Sequence, residues 1–146
     1  MPNFVKENVE YQEYFVHSWV FSLVEHLNKK KDTKVGIKVP KIIMYDEKSK
    51  VLTMQFLAGD SLSNIYGEEF NKVPGKYTEI IRNFIRILDA YLIDYVDITG
   101  YNFMLVRKHL YIIDFGHAKC RDRFDTTNDF VLKFMNGCES WNPEFA

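Results

Sequence analysis

Three polar residues, Asp97, Asn102 and Asp114, carry the chemistry that this chain of 146 residues can offer. Asp97 and Asn102 fall in a polar stretch that follows a long apolar-periodic segment. Asp114 follows two short apolar runs, 103–106 (FMLV) and 110–113 (LYII), and precedes Phe115 and Gly116, where glycine permits a sharp turn. With Arg107-Lys108 between them, the two runs read as a tight hairpin, and a hairpin of that size returns the chain to its start. Asp114 is therefore expected beside Asp97 and Asn102. Two carboxylates and a carboxamide meeting at one point form an all-oxygen ligand set. Such a set suits Mg²⁺, which completes its shell with water and substrate phosphates.

The elements that must position these residues are legible from spacing. Tyr77, Ile80, Ile81, Phe84, Ile85, Leu88, Tyr91, Leu92 and Tyr95 follow helical spacing, which predicts a helix over 77–95, with Arg82, Asn83, Arg86 and Asp89 on its other face. Tyr11, Phe15, Trp19, Leu23 and Leu27, with Val16, Val20 and Val24 alongside, predict a helix over 8–28 with a broad, well-buried stripe. Residues 32–40 read as a loop. Segments 41–46 and 51–57 read as two strands joined by the polar turn 47–50. Asp60 or Ser61 is expected to cap a short helix over 62–67, Pro74-Gly75 marks a turn, and a last helix lies near 127–136. The order helix, hairpin, helix, hairpin, helix predicts a single α+β domain.

Composition narrows the functional classes. Hydrophobic residues are 47% and aromatic residues 16%, which is a folding composition. A net charge of −1 gives no reason to expect a nucleic-acid or membrane-surface partner, and Lys29-Lys30-Lys31 reads as a solvated loop. Two cysteines without a CxxC argue against a disulfide framework and for a reducing, cytoplasmic setting. No apolar run is long enough to span a membrane, and the first residues do not read as a signal peptide. The sequence carries no GxGxxG, GxxxxGK[ST], HExxH or GxSxG. His17 and His26 have no second ligand in register and read as surface or capping residues, and Trp141 reads as packing under the last helix.

Asp97-x-x-x-x-Asn102 followed by Ile113-Asp114-Phe115-Gly116, within YVDITGYNFMLVRKHLYIIDFGHA, resembles the catalytic loop and DFG pair of the protein-kinase-like superfamily. The wording looks most like the small atypical (Bud32/RIO-like) kinases. The resemblance implies an α+β, kinase-like fold with a reduced N-lobe, an αC helix plus a β-hairpin, and a short, mainly helical C-lobe. On that reading residues 1–57 are an N-lobe remnant, 58–61 the hinge region and 62–146 a minimal C-lobe of one domain. Helix 8–28 is the αC helix, and 77–95 is the long central helix of the C-lobe. Met54 is the gatekeeper, Gln55, Phe56 and Leu57 contact adenine, and Asp129 opens an αF helix and braces the catalytic loop. The short stretch from Gly116 to Asp129 leaves no room for an ordinary substrate-docking segment.

Departures from the family pattern matter too. No glycine-rich loop is present, and three strands are expected ahead of αC where this sequence has almost none, so it reads as N-terminally shortened, of a kind found in viruses. Lys6 is the only early lysine, with Glu13 the first and Glu10 the second candidate for its αC partner. A Lys6–Glu13 pair needs a remnant strand running almost directly into the helix; otherwise both are solvated terminal charges. Tyr95 and Val96 stand at the positions of the HRD His and Arg. Loss of that Arg removes the reader of activation-loop phosphorylation. Tyr95 reads first as a core residue, and His117 takes a position where the family often carries a small apolar residue.

Two functions follow. In one, the protein binds ATP and Mg²⁺ and transfers the γ-phosphoryl group to a hydroxyl acceptor, with Asp97 as base and Asn102 and Asp114 as metal ligands. In the other, it is a pseudokinase acting as a binding module or decoy, its uncovered αC/N-lobe face pairing with a second copy or a protein partner.

Overall fold

Residues 2–30 and 34–145 are described by the computed structural model. In chain order the elements are β1 (Asn3–Lys6), α1 (Tyr11–Asn28), β2 (Ile37–Lys38), β3 (Ile42–Asp46), β4 (Val51–Gln55), β5 (Asp60–Ser61) and α2 (Leu62–Tyr66). They continue with a 3-10 turn (Phe70–Lys72), α3 (Gly75–Ala90), β6 (Ile93–Asp94), β7 (Phe103–Val106), β8 (His109–Ile112), β9 (Lys119–Cys120) and α4 (Asp129–Met135). Lys31 of the lysine run, and residues 32 and 33 of the expected loop, lie outside the described residues.

The N-terminal sheet has the order β1-β4-β3, all antiparallel. A remnant strand does precede the first helix: β1 pairs Phe4 with Met54 and Lys6 with Leu52. Because strand side chains alternate between faces, Phe4 and Lys6 point the same way. A small apolar cluster of Val9, Leu52 and Met54 lies under this sheet, with Tyr14, Ile42 and Tyr45 packed on it. Tyr14 and Tyr45 stack with ring centroids 4.4 Å apart.

The larger core collects Val16, Val20, Leu23, Val24 and Leu27 of α1, and Ile81, Phe84, Ile85 and Leu88 of α3. Phe103, Leu110, Ile112, Phe115, Val131 and Phe134 complete it from the later elements. The buried face of α1 is thus one step round the helix from the expected stripe. Its valines and leucines turn inward, while Tyr11, Phe15 and Trp19 stay 51, 41 and 37% exposed. Successive residues lie about 100° apart on a helix, so the aromatic ridge at 11, 15 and 19 and the aliphatic ridge at 16, 20, 23, 24 and 27 form adjoining faces, and only the aliphatic one meets the core.

Two further features differ from the sequence reading. The central helix stops at Ala90 instead of 95, because Leu92 adopts φ 64° and the chain leaves as β6, which pairs with β9. Within the expected loop 32–40, Ile37–Lys38 forms a strand that runs parallel to β8. Of the two cap candidates, Asp60 and Ser61, it is Ser61 that caps α2, its hydroxyl accepting the Asn64 amide at 3.1 Å. The β7–β8 hairpin is where the spacing put it, closed by Arg107 and Lys108 with φ of 50° and 69°, a two-residue turn of the kind that matches strand twist.

Candidate functional site

A cleft of about 450 Å³ opens between the N-terminal sheet and the β7–β8 hairpin. Phe4, Met54, Phe56, Leu57, Met104 and Ile113 give it an apolar end and wall, and Lys6, Glu13 and Asp114 a charged end. Every expected cofactor-binding residue, Gln55 included, therefore lines one cavity.

Lys6 arrives from β1 and Glu13 from the first turn of α1, where a carboxylate is favoured by the helix dipole. The Lys6 Nζ donates to Glu13 Oε2 at 2.6 Å and lies 3.4 Å from Asp114 Oδ1. Partial burial works against the ammonium, but the hydrogen bond to Glu13 and the field of Asp114 outweigh it and hold Lys6 above the usual lysine pKa. The second glutamate candidate, Glu10, pairs instead with Lys50 at 2.8 Å, on the outside of the fold.

Asp114 sits at φ 63°, a left-handed conformation that Asp tolerates, and its Oδ1 accepts the Gly116 amide at 3.0 Å. The left-handed residue of the turn is thus the aspartate itself. Gly116 is closely packed: a Cβ there would lie 3.1 Å from Asp114 Oδ1 and 3.3 Å from Glu13 Oε1, so both carboxylates would have to give by a few tenths of an ångström. Below, the Tyr95 hydroxyl donates to the carbonyls of Ile113 at 2.7 Å and Asp114 at 2.9 Å. Full burial pushes its pKa well up, so it stays a donor. Tyr95 is a core residue, as expected, and also a strut under the turn.

Asp97 and Asn102 bracket a tight loop. Asn102 Nδ2 donates to the Asp97 carbonyl at 2.9 Å, which leaves Oδ1 as the end of the amide able to meet a cation. The Ile113 amide donates to the Asn102 carbonyl at 2.9 Å, so the hairpin returns the chain to the loop and sets Asp114 one residue beyond that contact. The Asp97 carboxylate is buried, and its Oδ2 lies 3.1 Å from His117 Nδ1.

Residues with no local signal in the sequence support the loop. Asn142 donates its backbone amide to the Ile98 carbonyl at 2.9 Å and its Nδ2 to the Val96 carbonyl at 2.7 Å. The expected brace, Asp129, is exposed in the first turn of α4, where its charge meets the helix dipole. Arg121, just past β9, donates to Asp94 Oδ1 at 2.7 Å and to Asp89 Oδ1 at 2.5 Å, tying the segment after Gly116 to the end of α3 and the strand before the loop. His17, expected at the surface, is buried; its Nε2 donates to the Pro40 carbonyl at 2.8 Å, and its ring lies 4.9 Å from that of Phe115. Burial, and secondarily the charge of Lys6, depress its pKa against the pull of that carbonyl. His26 is exposed in the last turn of α1. Trp141 packs edge-on against Phe70 and stacks with Phe103, in the main core.

Comparison with known proteins gives the family. The RIO domain profile matches residues 4–127. Among solved structures, the kinase PK-1 of Cydia pomonella granulovirus superposes with a TM-score of 0.58 at 14% identity, covering 84% of this chain and 46% of that one. The Rad53 kinase domain gives a TM-score of 0.48 at 20% identity, covering 79% of this chain and 43% of that one. The chain thus spans about half the length of these kinases. No curated protein sequence matches it. Among the described residues, no helix is long and apolar enough to cross a membrane.

Proposed function

Because the chain belongs to the RIO domain family, we propose that it binds Mg·ATP in the cleft and transfers the γ-phosphoryl group to a hydroxyl acceptor. The observation that carries this reading is the single cavity that joins an apolar wall of Phe4, Met54, Phe56 and Leu57 to the Lys6–Glu13–Asp114 cluster. A flat purine suits the first and a polyphosphate the second. Lys6 supplies a fixed positive charge for phosphate oxygens, and Glu13 holds it in place. Asn102 Oδ1 and Asp114 form the oxygen donor set that fits Mg²⁺. The ion, when bound, neutralises charge on the phosphates. On this reading Asp97, buried beside the residues that line the cleft, orients the acceptor hydroxyl. The rest of the task is positioning, for which the chain supplies a braced loop and a closed hairpin.

The test is thermal unfolding with and without Mg·ATP, on wild type and on Asp114→Asn, which keeps a residue tolerant of the left-handed backbone. We expect a Mg²⁺-dependent rise in the wild-type midpoint and little or none in the variant. No rise at millimolar Mg·ATP would overturn the reading.

A second reading, a binding module, is supported by the exposed ridge of Tyr11, Phe15 and Trp19, which with Tyr91 lines a shallow groove on the outer side of α1. A second copy or a protein partner would cover this face. Light scattering of wild type and Trp19→Ser tests it: a monomer in both, at all accessible concentrations, would count against self-pairing.

A further inference from the structure

The phosphotransfer reading leaves His117, whose ring touches Asp97, without a task. Its side chain is 59% exposed, while the Asp97 side chain it touches is only 9% exposed. The contact is Nδ1 to Oδ2, at 3.1 Å. An ionised carboxylate only accepts hydrogen bonds, so Nδ1 must be the protonated nitrogen. In the neutral ring that leaves the Nε2 lone pair free, on the outer side of the ring. The ring also packs on Phe145, with centroids 4.8 Å apart, which limits its rotation. A buried carboxylate that fixes the tautomer of an exposed imidazole is the arrangement by which an imidazole becomes a directed proton acceptor.

We propose that His117 and Asp97 work as a dyad, in which His117 Nε2, rather than the Asp97 carboxylate, takes the proton of the attacking hydroxyl. The proposal rests on the phosphotransfer reading. The acceptor's O–H bond breaks and its proton moves to Nε2. The oxygen bonds to the γ-phosphorus as the bond from that phosphorus to the β,γ-bridging oxygen breaks, and the electron pair leaves on the nucleoside diphosphate. Asp97 balances the imidazolium, and the exposed ring passes its proton to solvent. The charged groups nearest the adjoining Gly116 are Asp114 and Glu13, with Lys6 paired to both. In sequence, Glu144 precedes the Phe145 on which the ring packs, and Lys119 follows His117 by two residues.

The experiment follows Mg·ATP hydrolysis, with water as the hydroxyl acceptor, across pH 5.5 to 9 in wild type, His117→Gln and Asp114→Asn. Nitrogen-15 NMR of the histidine rings, in wild type and Asp97→Ala, runs beside it. We expect His117→Gln to lose about 100-fold or more in kcat with KM for ATP unchanged, and to lose the acid limb that an imidazole base imposes. The neutral His117 ring should carry its proton on Nδ1 in wild type and lose that preference in Asp97→Ala. Hydrolysis abolished by Asp114→Asn but kept, with its acid limb, by His117→Gln would sink the dyad and leave the phosphotransfer reading standing. A wild type that hydrolyses nothing, yet keeps the Nδ1 proton, would overturn the phosphotransfer reading and His117's catalytic role with it. An Nε2 proton in wild type would overturn the dyad outright.

Discussion

His17 shows how burial converts a titratable side chain into a stability device. Its pKa is depressed because the ring is desolvated, so the unfolded chain binds the proton more readily than the folded one. Its contribution is therefore complete above the ordinary histidine value of 6.5 and is lost as pH falls from there through the lower, folded pKa. Urea midpoints should decline between pH 7 and 5, with a slope of at most ~1.4 kcal/mol per pH unit from this one group. His17→Gln, which keeps a donor for the Pro40 carbonyl, should flatten part of that decline; an unchanged slope would remove His17 as its cause. Lys6 runs the opposite way. Its raised pKa means its pairing with Glu13 and Asp114 persists through neutral pH and is lost only as pH climbs through the folded value, above 10.5. At this scale much was legible in the sequence. Asp97, Asn102 and Asp114 announce themselves by type and spacing, and Lys6 and Glu13 are candidates from their place in the sequence. Asn142 and Arg121 were not, because each acts on backbone or carboxylates 27 to 46 residues away, and nothing local marks such a contact.

Among the elements, the segment after Gly116 is held by the Arg121 ion pairs as well as by Ala118 in the main core. The guanidinium, 7% exposed, spans the carboxylates of Asp94 and Asp89, and the Asp94 side chain is 4% exposed. Arg121→Ala would leave a buried carboxylate without its partner, so we expect a loss of about 3–5 kcal/mol in chemical denaturation. Arg121→Lys should recover only part of it, since a single ammonium cannot reproduce the fork. Element type was legible wherever periodicity is sustained, as in α1, α3 and the two hairpins. Boundaries failed where tertiary pairing overrode the pattern. Leu92 and Tyr95 continue the helical spacing of α3, yet one turns left-handed and the other is buried under the Asp114 turn. The two-residue strands β2, β5, β6 and β9 exist only through distant partners, so no run of residues signals them.

For the whole molecule, α1 is the shared member. Tyr14 packs on the small cluster under the N-terminal sheet, while Val16, Val20 and Leu23 belong to the main core. One helix serving both predicts one cooperative unfolding transition. Far-UV circular dichroism and tryptophan fluorescence should give coincident denaturation curves, Trp19 reporting from α1 and Trp141 from the main core. Leu23→Ala should shift both together, by about 2–5 kcal/mol. Separated transitions would show that the sheet and the main core melt independently. The mixed α+β kinase-like fold with reduced lobes was legible because its motifs and its element order agree. The exposed aromatic face of α1 was not, since sequence spacing alone does not say which of two adjoining apolar ridges finds a partner.

The contact between Lys6 and Asp114 joins residues 108 positions apart, and that separation is also an interval of time. At ribosomal elongation rates the second residue is added roughly 5–20 s after the first. Through that wait β1 has no β4 to pair with until Val51–Gln55 is made, and Lys6 has only Glu13 to hold it. The charged end of the cleft is consequently completed only after the N-terminal sheet, α3 and the β7–β8 hairpin have been made. A nascent chain halted before residue 114 would hold the lysine and its glutamate but not the aspartate that gives them a task.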